Sequence, residues 1–288
     1  TRRAGCALIG ASMDTPETSE QIIQPDQPWR EQLRELWAYR ELFGAFVRRQ
    51  LLVRYRQTAI GILWSVLRPV IVMLAFTVVF HRVAGLKSGD TPYVLVALSG
   101  VLAWQFFSQT VMDSAQLLVN AAEMVRKIYF PRIVLPAAAC LTALVDMLIG
   151  LVVFVIIAVF NGWQMPWTIV LWPIWVAWGV MVSMGPALAL AALNVRYRDV
   201  IHIIPFVLLV GMLLSPVGYP SSAVSGGWSW AYWLNPMVGV IDGFRWSLLG
   251  TPPSSWLGMA LSLVSGAGLF VAGAAIFNWM QRTFADVI

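Results

Sequence analysis

The sequence predicts an all-α integral membrane protein with six transmembrane helices, an N-terminal amphipathic interface helix and re-entrant hairpin helices between helices 5 and 6. Three observations lead to this fold class: an apolar composition, six long apolar stretches and an uneven distribution of positive charge. Of the 288 residues, 59% are hydrophobic and 11% are charged, and the mean hydropathy is +0.74. Soluble domains are about 45–50% apolar and about 25% charged, so this composition indicates a membrane protein.

Two segments precede the apolar stretches. Residues 1–28 offer little apolar surface to offset the entropy of ordering, so we expect them to be poorly ordered. Residues 29–57 are predicted to form a cytoplasmic interface helix, with apolar side chains roughly on one face and charged ones on the other. Arg40 interrupts the apolar face. A basic amphipathic helix of this kind is typical of the membrane interface, and an ordinary helix of a small soluble domain is the alternative.

Residues 58–288 are predicted to form a six-span transmembrane domain, because six stretches reach the roughly 20 mostly apolar residues that cross a bilayer. The stretches cover residues 60–82, 93–118, 133–160, 167–193, 200–219 and 255–279. The second stretch is the least apolar, since it contains Gln105, Gln109, Asp113 and Gln116.

Positive charges are concentrated in alternate connections between the spans, and this asymmetry predicts the orientation. If the N-terminus is cytoplasmic, the connections from residue 29 onward place thirteen Lys and Arg residues on the cytoplasmic side and three on the other. The thirteen are Arg30, Arg34, Arg40, Arg48, Arg49, Arg54, Arg56, Arg126, Lys127, Arg132, Arg196, Arg198 and Arg282; the three are Arg82, Lys87 and Arg245. Because cytoplasmic connections carry an excess of Lys and Arg, we expect both termini in the cytoplasm.

The segment 220–254 is too apolar for a solvated loop, yet Pro and Gly interrupt it repeatedly. One interpretation is a re-entrant or interfacial hairpin on the external face, since non-helical backbone at membrane depth must be satisfied by protein or by a water-filled cavity. The other interpretation is a loop lying on the lipid headgroups.

Charged side chains within the spans are costly and are candidate functional residues. Arg68 lies about eight residues into the first span, where it either faces an internal path for an anionic substrate or extends back to the interface. Asp146 lies in the middle of the third span. It is either a proton relay or a carboxyl that is hydrogen-bonded to a neighbouring helix.

A cluster of aromatic and amide side chains in the second span is a candidate substrate path. It comprises Trp104, Gln105, Phe106, Phe107 and Gln109. Aromatic faces pack against sugar rings while glutamine amides bind hydroxyl groups, so the cluster suits a glycan. The alternative is that these rings are ordinary membrane-belt or lipid-facing residues.

The sequence lacks GxxxxGK[ST], HExxH and GxSxG motifs, and its two histidines, His81 and His202, flank spans. We therefore expect no catalytic residue, metal site or cofactor on this chain. Three classes remain open: a permease driven by another protein, an ion-coupled secondary transporter using Asp146, and a membrane-embedded glycosyl or phosphoryl transferase. The transferase would need a cluster of carboxylates or metal ligands at the interface, and the external connections offer only Asp90 and Asp242.

Five segments, in order, resemble the permease subunits of bacterial ABC exporters for O-antigen, capsule and teichoic-acid polysaccharides. They are RRQLLVRYRQTAIGILWSVLRPV (48–70), MVRKIYFPRIVLP (124–136), ALNVRYRDV (192–200), LLSPVGYP (213–220) and NPMVGVIDGFRWSLLG (235–250). Arg68 departs from the neutral Gln that this family favours before the proline.

The resemblance implies a half-transporter of the bacterial inner membrane. Two copies would form the pathway for an undecaprenyl-linked polysaccharide, and two copies of a separate ATPase subunit would bind ATP and Mg²⁺. It also implies that residues 117–132 form a cytoplasmic coupling helix that docks into the ATPase, and that hairpins between the last two spans shape the external end of the path.

Two sets of residues are assigned on this basis. The coupling residues are Arg126, Lys127, Tyr129, Phe130, Pro131 and Arg132, with Tyr129 and Phe130 as exposed anchors, the cations facing acidic rims and Pro131 ending the helix. A plain cation-rich cytoplasmic loop is the alternative, which leaves the exposed Tyr-Phe-Pro unexplained. The external gate residues are Tyr219, Pro220, Trp233, Asn235, Pro236 and Arg245.

Overall fold

The computed structural model describes residues 39–56, 61–85, 91–121, 130–224 and 229–281, and these residues form helices and connecting loops without a β-strand. The all-α prediction is therefore confirmed for the described part of the chain. Residues 1–28, which we expect to be poorly ordered, lie outside the described residues, as do residues 29–38 of the predicted interface helix. The remainder of that helix is observed as α1, Arg40–Arg56.

Eight further α-helices follow along the described ranges. They are α2, Leu63–Phe76, continued by a π-helix at Thr77–Val83; α3, Tyr93–Asn120; α4, Val134–Phe160; α5, Trp172–Arg196, preceded by a 3₁₀ turn at Trp167–Leu171; α6, Val200–Leu214; α7, Ser229–Trp233; α8, Pro236–Leu249; and α9, Trp256–Gln281. Five stretches among the described residues are long and apolar enough to cross a membrane, namely those containing α2, α3, α4, α5 and α9. They match five of the six predicted spans.

The remaining predicted span, 200–219, is only partly helical. Its helix, α6, has 15 residues, which corresponds to a length of about 22 Å at 1.5 Å per residue. The helix ends at Leu214 because Ser215 precedes Pro216, and the residue before a proline is driven out of the helical region. Ser215 accordingly has an extended backbone, with φ −105° and ψ 150°. The structure thus has five long spans and one short apolar helix in its described residues.

Helix α3 lies at the centre of the bundle and packs against α2, α4, α5, α6 and α8. It is the most buried of the five long spans and also the least hydropathic. These two properties belong together, because a helix that is enclosed by other helices contacts little lipid and therefore tolerates polar side chains.

One end of the bundle is defined by α1. The α1 end contains a buried cluster in which Phe46 and Val47 of α1 pack with Phe130, Val195 of α5 and Met280 of α9. The rings of Phe46 and Phe130 are 5.8 Å apart. Helix α1 is thus attached to the spans by apolar contacts on one face, as expected for an amphipathic helix.

At the other end, α8 packs inside the bundle against α3, α5 and α9. Asn235 caps the helix by accepting a hydrogen bond from the backbone N–H of Met237, at 3.0 Å, and Pro236 occupies its first turn. The helix ends at Gly250, whose φ of +72° favours glycine. Because nearly all of α8 is buried, the interpretation of this segment as a loop on the headgroups is wrong for residues 236–249.

Candidate functional site

A polar cavity of about 660 Å³ lies between α1, α2, α3, α4 and α6. Its polar lining includes Ser65 and Arg68 of α2, Gln105, Gln109 and Asp113 of α3, and Asp146 of α4. Arg54 and Tyr55 of α1 line the same cavity. Polar side chains are costly inside an apolar bundle unless they are paired, so their convergence at one place marks the candidate site.

Arg54 joins the two carboxylates of this cavity. Its Nη1 donates to Asp146 Oδ2 and its Nη2 donates to Asp113 Oδ2. All three side chains are partly buried, with exposed fractions of 24% for Arg54, 21% for Asp113 and 13% for Asp146. The planar guanidinium is suited to this geometry, because its donors point in fixed directions and bind two acceptors at once.

Asp146 accepts further hydrogen bonds from two other side chains. Tyr55 donates its hydroxyl to Oδ1, and Ser65 donates to the same oxygen at 2.6 Å. The donors therefore come from both α1 and α2. The structure confirms the interpretation of Asp146 as a carboxyl that is hydrogen-bonded to neighbouring helices.

The electrostatics of α1 favour this network. Burial acts to lower the pKa of Arg54, but the charges of Asp113 and Asp146 outweigh it and raise the pKa above its ordinary value. Burial, together with the hydrogen bond to Asp146, raises the pKa of Tyr55 to about 12. At neutral pH the guanidinium is therefore charged and the phenol protonated, so both are donors.

The residues of the predicted substrate path divide between two cavities. Arg68, Gln105, Phe106 and Gln109 line the polar cavity. Trp104 and Phe107 instead line an apolar cavity of about 900 Å³, between α3, α5, α6 and the α7–α8 segment. Successive residues of an α-helix point about 100° apart, so Trp104 faces away from the cavity that Gln105 lines. The predicted pairing of Trp104 with Gln105 and Gln109 on one surface is therefore not observed.

The structure adds residues that the sequence analysis did not select. Arg54, Tyr55 and Ser65 complete the carboxylate network, and the half-exposed ring of Trp64 lines the polar cavity. A usable signal was present in the sequence, because two carboxylates within predicted spans require a cation nearby. Arg54 stands just before the first span, within reach of that role.

The predicted coupling residues are only partly described. Arg126, Lys127 and Tyr129 lie outside the described residues. Phe130 was expected to be exposed, but it is 4% exposed and packs against Phe46, because α1 covers it. Arg132 donates from Nη1 to the backbone oxygen of Gln281, the last residue of α9, and Pro131 immediately precedes the turn that begins α4.

Arg245, a predicted external gate residue, is buried in the bundle. Its guanidinium donates to the backbone oxygens of Tyr219, at 2.9 Å, and Val217, at 3.0 Å. Its Nη1 lies 3.8 Å from a carboxylate oxygen of Asp242. Arg245 therefore satisfies backbone carbonyl groups in the loop that follows α6.

The other predicted gate residues hold the same region together. Asn235 donates to Ser215 Oγ at 2.9 Å, which links the start of α8 to the end of α6. Trp233 is buried against Gly258, and Tyr219 packs near Phe80. Pro220 precedes a 3₁₀ turn at Ser221–Ala223, and Pro236 is the first residue of α8. The structure thus places these residues in one packed segment, and their gating role stays a prediction.

Within the described ranges, no group of three or more His, Cys, Asp or Glu side chains is arranged to hold a metal ion. The described carboxylates of the polar cavity form ion pairs and hydrogen bonds with neighbouring side chains.

Comparison with known proteins identifies the family. A family model for "ABC-2 type transporter" matches residues 41–249. This chain belongs to the ABC-2 type transporter family. A protein from Myxococcus xanthus named "O-antigen export system permease protein RfbA" is 30% identical over 260 residues, covering 89% of this chain and 98% of that protein. Two proteins of the same name from Klebsiella pneumoniae are 24% and 23% identical over 252 residues, covering 86% of this chain and 95% of each.

The matched part of this ABC-2 type transporter runs from α1 to the end of α8 and includes the whole carboxylate network. The resemblance to polysaccharide-exporter permeases is therefore confirmed. The secondary-transporter alternative is not favoured, because the chain belongs to an ABC family and Asp146 is held by Arg54, Tyr55 and Ser65.

Proposed function

We propose that this chain is the permease subunit of an ABC transporter that exports a lipid-linked polysaccharide of the O-antigen type across the inner membrane. The observation that carries the proposal is similarity to O-antigen export permease proteins over 86% to 89% of the chain. Two copies of the permease would form the pathway. Membership of an ABC family implies a separate ATPase subunit, which would be present twice and bind ATP and Mg²⁺.

The α1 end of the bundle would face the cytoplasm. Arg48, Arg49 and Arg56 of α1 are exposed at this end, as are Arg196, the last residue of α5, and Arg198. Such a concentration of exposed cations is typical of the cytoplasmic side. Both termini of the chain would then lie in the cytoplasm.

The ATPase would contact the segment that precedes α4. Arg126, Lys127 and Tyr129 would provide the contacts, since cations and an aromatic ring are suited to a binding cleft with acidic rims. Phe130 would serve a different purpose, because its ring packs against Phe46 of α1. A displacement of this segment would therefore be passed to α1 through an apolar contact.

The polar cavity would form part of the glycan path. Amide side chains such as Gln105 and Gln109 suit the hydroxyl groups of sugars, and the half-exposed ring of Trp64 provides an apolar face in the same cavity. The assignment requires a polymer with many hydroxyl groups.

The test is deletion of the gene in the organism that encodes it, followed by gel analysis of lipopolysaccharide. We expect the ladder of polymer-bearing lipopolysaccharide to disappear while the lipid-linked polymer accumulates inside the cell. Expression of the wild-type chain should restore the ladder. A deletion strain that keeps its ladder, or that loses it without internal accumulation, would contradict an export role.

A further inference from the structure

The carboxylates Asp113 and Asp146 lie on two helices, α3 and α4, that pack closely along their length. Leu102 of α3 lies so near Gly150 of α4 that an added Cβ would approach it to 2.3 Å. The two carboxylates therefore belong to one rigid helix pair and stay close to each other. Their charges repel, and a cation between them offsets that repulsion.

The donors to these carboxylates come from the other side of the polar cavity. Arg54 and Tyr55 lie at the C-terminal end of α1, and Ser65 lies in the first turn of α2. The polar cavity lies between these two sides. Arg54 reaches from α1 to Asp113 and Asp146 at one wall of the cavity. The contact ties the α1–α2 side to the α3–α4 side.

Helix α1 has two different attachments. Its middle is held by Phe46 and Val47 in the apolar cluster at the α1 end, whereas its last turn is held by the polar contacts of Arg54 and Tyr55. Ionic contacts at a partly exposed site are directional and are lost when the partner shifts by a few ångströms. The last turn of α1 is thus the part of the helix whose contacts with α4 and α3 are polar and directional.

We propose that Arg54 is a positioning residue of the transport cycle: its bridge to Asp113 and Asp146 keeps the polar cavity closed toward α1, and its release opens that side. The arrangement observed is the one in which Arg54 contacts both carboxylates. The movement would reach Arg54 along α1, through the packed rings of Phe130 and Phe46. This role rests on the proposed function only in taking the cavity as part of the path.

Opening of the polar cavity on its α1 side is measured by the reactivity of a cysteine placed in that cavity. The reporter is Gln109→Cys, one turn before Asp113, in a purified full-length chain whose two native cysteines are replaced by alanine. A water-soluble maleimide is added and the labelling rate is measured. We expect Arg54→Gln to raise the rate about tenfold, as for the loss of hydrogen bonds to charged groups, and Arg54→Lys to raise it less.

Two controls separate opening from general loosening. Arg49→Gln removes an exposed arginine of the same helix that does not contact either carboxylate, and it should leave the labelling rate unchanged. A second reporter, Ser99→Cys, replaces a fully buried residue of α3 at the opposite end of the bundle. Equal increases at Ser99→Cys and Gln109→Cys would indicate global loosening and would overturn the proposal, as would an unchanged rate at Gln109→Cys.

The second arm measures coupling in vesicles that contain the permease together with its ATPase. For Arg54→Gln we expect ATP hydrolysis to stay within about twofold of wild type while export per ATP falls about tenfold. A purely structural role would lower both in proportion to the amount of folded complex, and that result would overturn the proposal. If the wild-type complex itself exports no polymer, the proposed function fails, whereas the labelling arm still decides the role of Arg54.

Asp113→Asn provides an independent variant in case Arg54→Gln does not fold. The change is nearly isosteric and removes one of the two charges that hold Arg54. We expect it to raise the labelling rate of Gln109→Cys in the same direction, and an unchanged rate would count against the bridge.

Discussion

Asp146 lies near the middle of α4, where an unpaired carboxylate would cost about 3 kcal/mol in a membrane-spanning helix. The protein avoids this cost by surrounding the carboxylate with donors from Arg54, Tyr55 and Ser65. Each donor satisfies an oxygen lone pair, and Arg54 also offsets the charge. A single side chain thus connects three helices, which makes it a sensitive position for mutation.

We expect Asp146→Ala to lower the free energy of unfolding by about 2 kcal/mol, because Tyr55 and Ser65 lose their acceptor and Arg54 loses one of its two carboxylates. The measurement is thermal unfolding of the purified permease in detergent. Asp199→Ala is the matched control, since Asp199 is exposed in the short connection after α5, and it should change stability by less than about 0.5 kcal/mol. Equal melting temperatures for the two variants would show that the network does not stabilise the fold.

The sequence identified Asp146 as a costly residue but did not identify its partner. Arg54 precedes it by 92 positions and lies on a helix predicted for the membrane interface. Periodicity shows which residues share one face of a helix, whereas the meeting of two helices depends on packing between distant segments. For this reason Arg68, which lies inside a predicted span, was selected and Arg54, which lies just outside one, was not.

Close packing between helices of the bundle depends on glycines. Helices α5 and α9 cross at Gly185 and Gly273, where a Cβ on Gly273 would lie 2.0 Å from the backbone oxygen of Gly185. No rotamer change relieves a contact with backbone atoms. The two helices must therefore move apart if either position acquires a side chain, as at small-residue contacts between membrane helices generally.

We expect Gly273→Ala to destabilise the permease by about 2 kcal/mol, because separating α5 from α9 loses packing along both helices. Gly268→Ala on the same helix is the control: nothing lies within 4 Å of an added Cβ there. It should be neutral or slightly stabilising, since alanine favours the helix. The fraction of protein that remains folded after stepwise heating distinguishes the two variants. Identical unfolding curves would contradict the close crossing of α5 and α9.

Hydropathy located the long helices well, because each of them contains a continuous apolar stretch of sufficient length. It failed where the chain leaves the helix inside an apolar stretch. The end of α6 depends on Pro216 and on Arg245, whose donors hold the carbonyls of residues 217 and 219. Likewise Phe130 was predicted to be exposed in a cation-rich connection, but α1 covers it. The docking of a helix onto a loop depends on both segments and is not evident from the sequence of either one.

The two ends of the bundle differ in their polar and charged side chains. The α1 end has exposed arginines, a helix held partly by ion pairs and a polar cavity nearby. The opposite end is closed by α8, whose residues are almost all buried, and by the bonds of Arg245. The α1 end is therefore held in part by ion pairs that solvent can reach, whereas the opposite end is held by buried contacts of α8.

The orientation of these two ends in the membrane is directly testable. We expect the α1 end in the cytoplasm because the exposed cations gather there. Arg198→Cys, in the exposed connection between α5 and α6, and Asn161→Cys, in the exposed connection after α4, place single cysteines at opposite ends of the bundle. In intact spheroplasts an impermeant maleimide should label Asn161→Cys and spare Arg198→Cys, and in inside-out vesicles the pattern should reverse.

The two variants control each other for expression and reactivity. Labelling of Arg198→Cys in intact spheroplasts would invert the topology and would place the polar cavity's α1 side outside the cell, where no cytoplasmic ATPase acts on it.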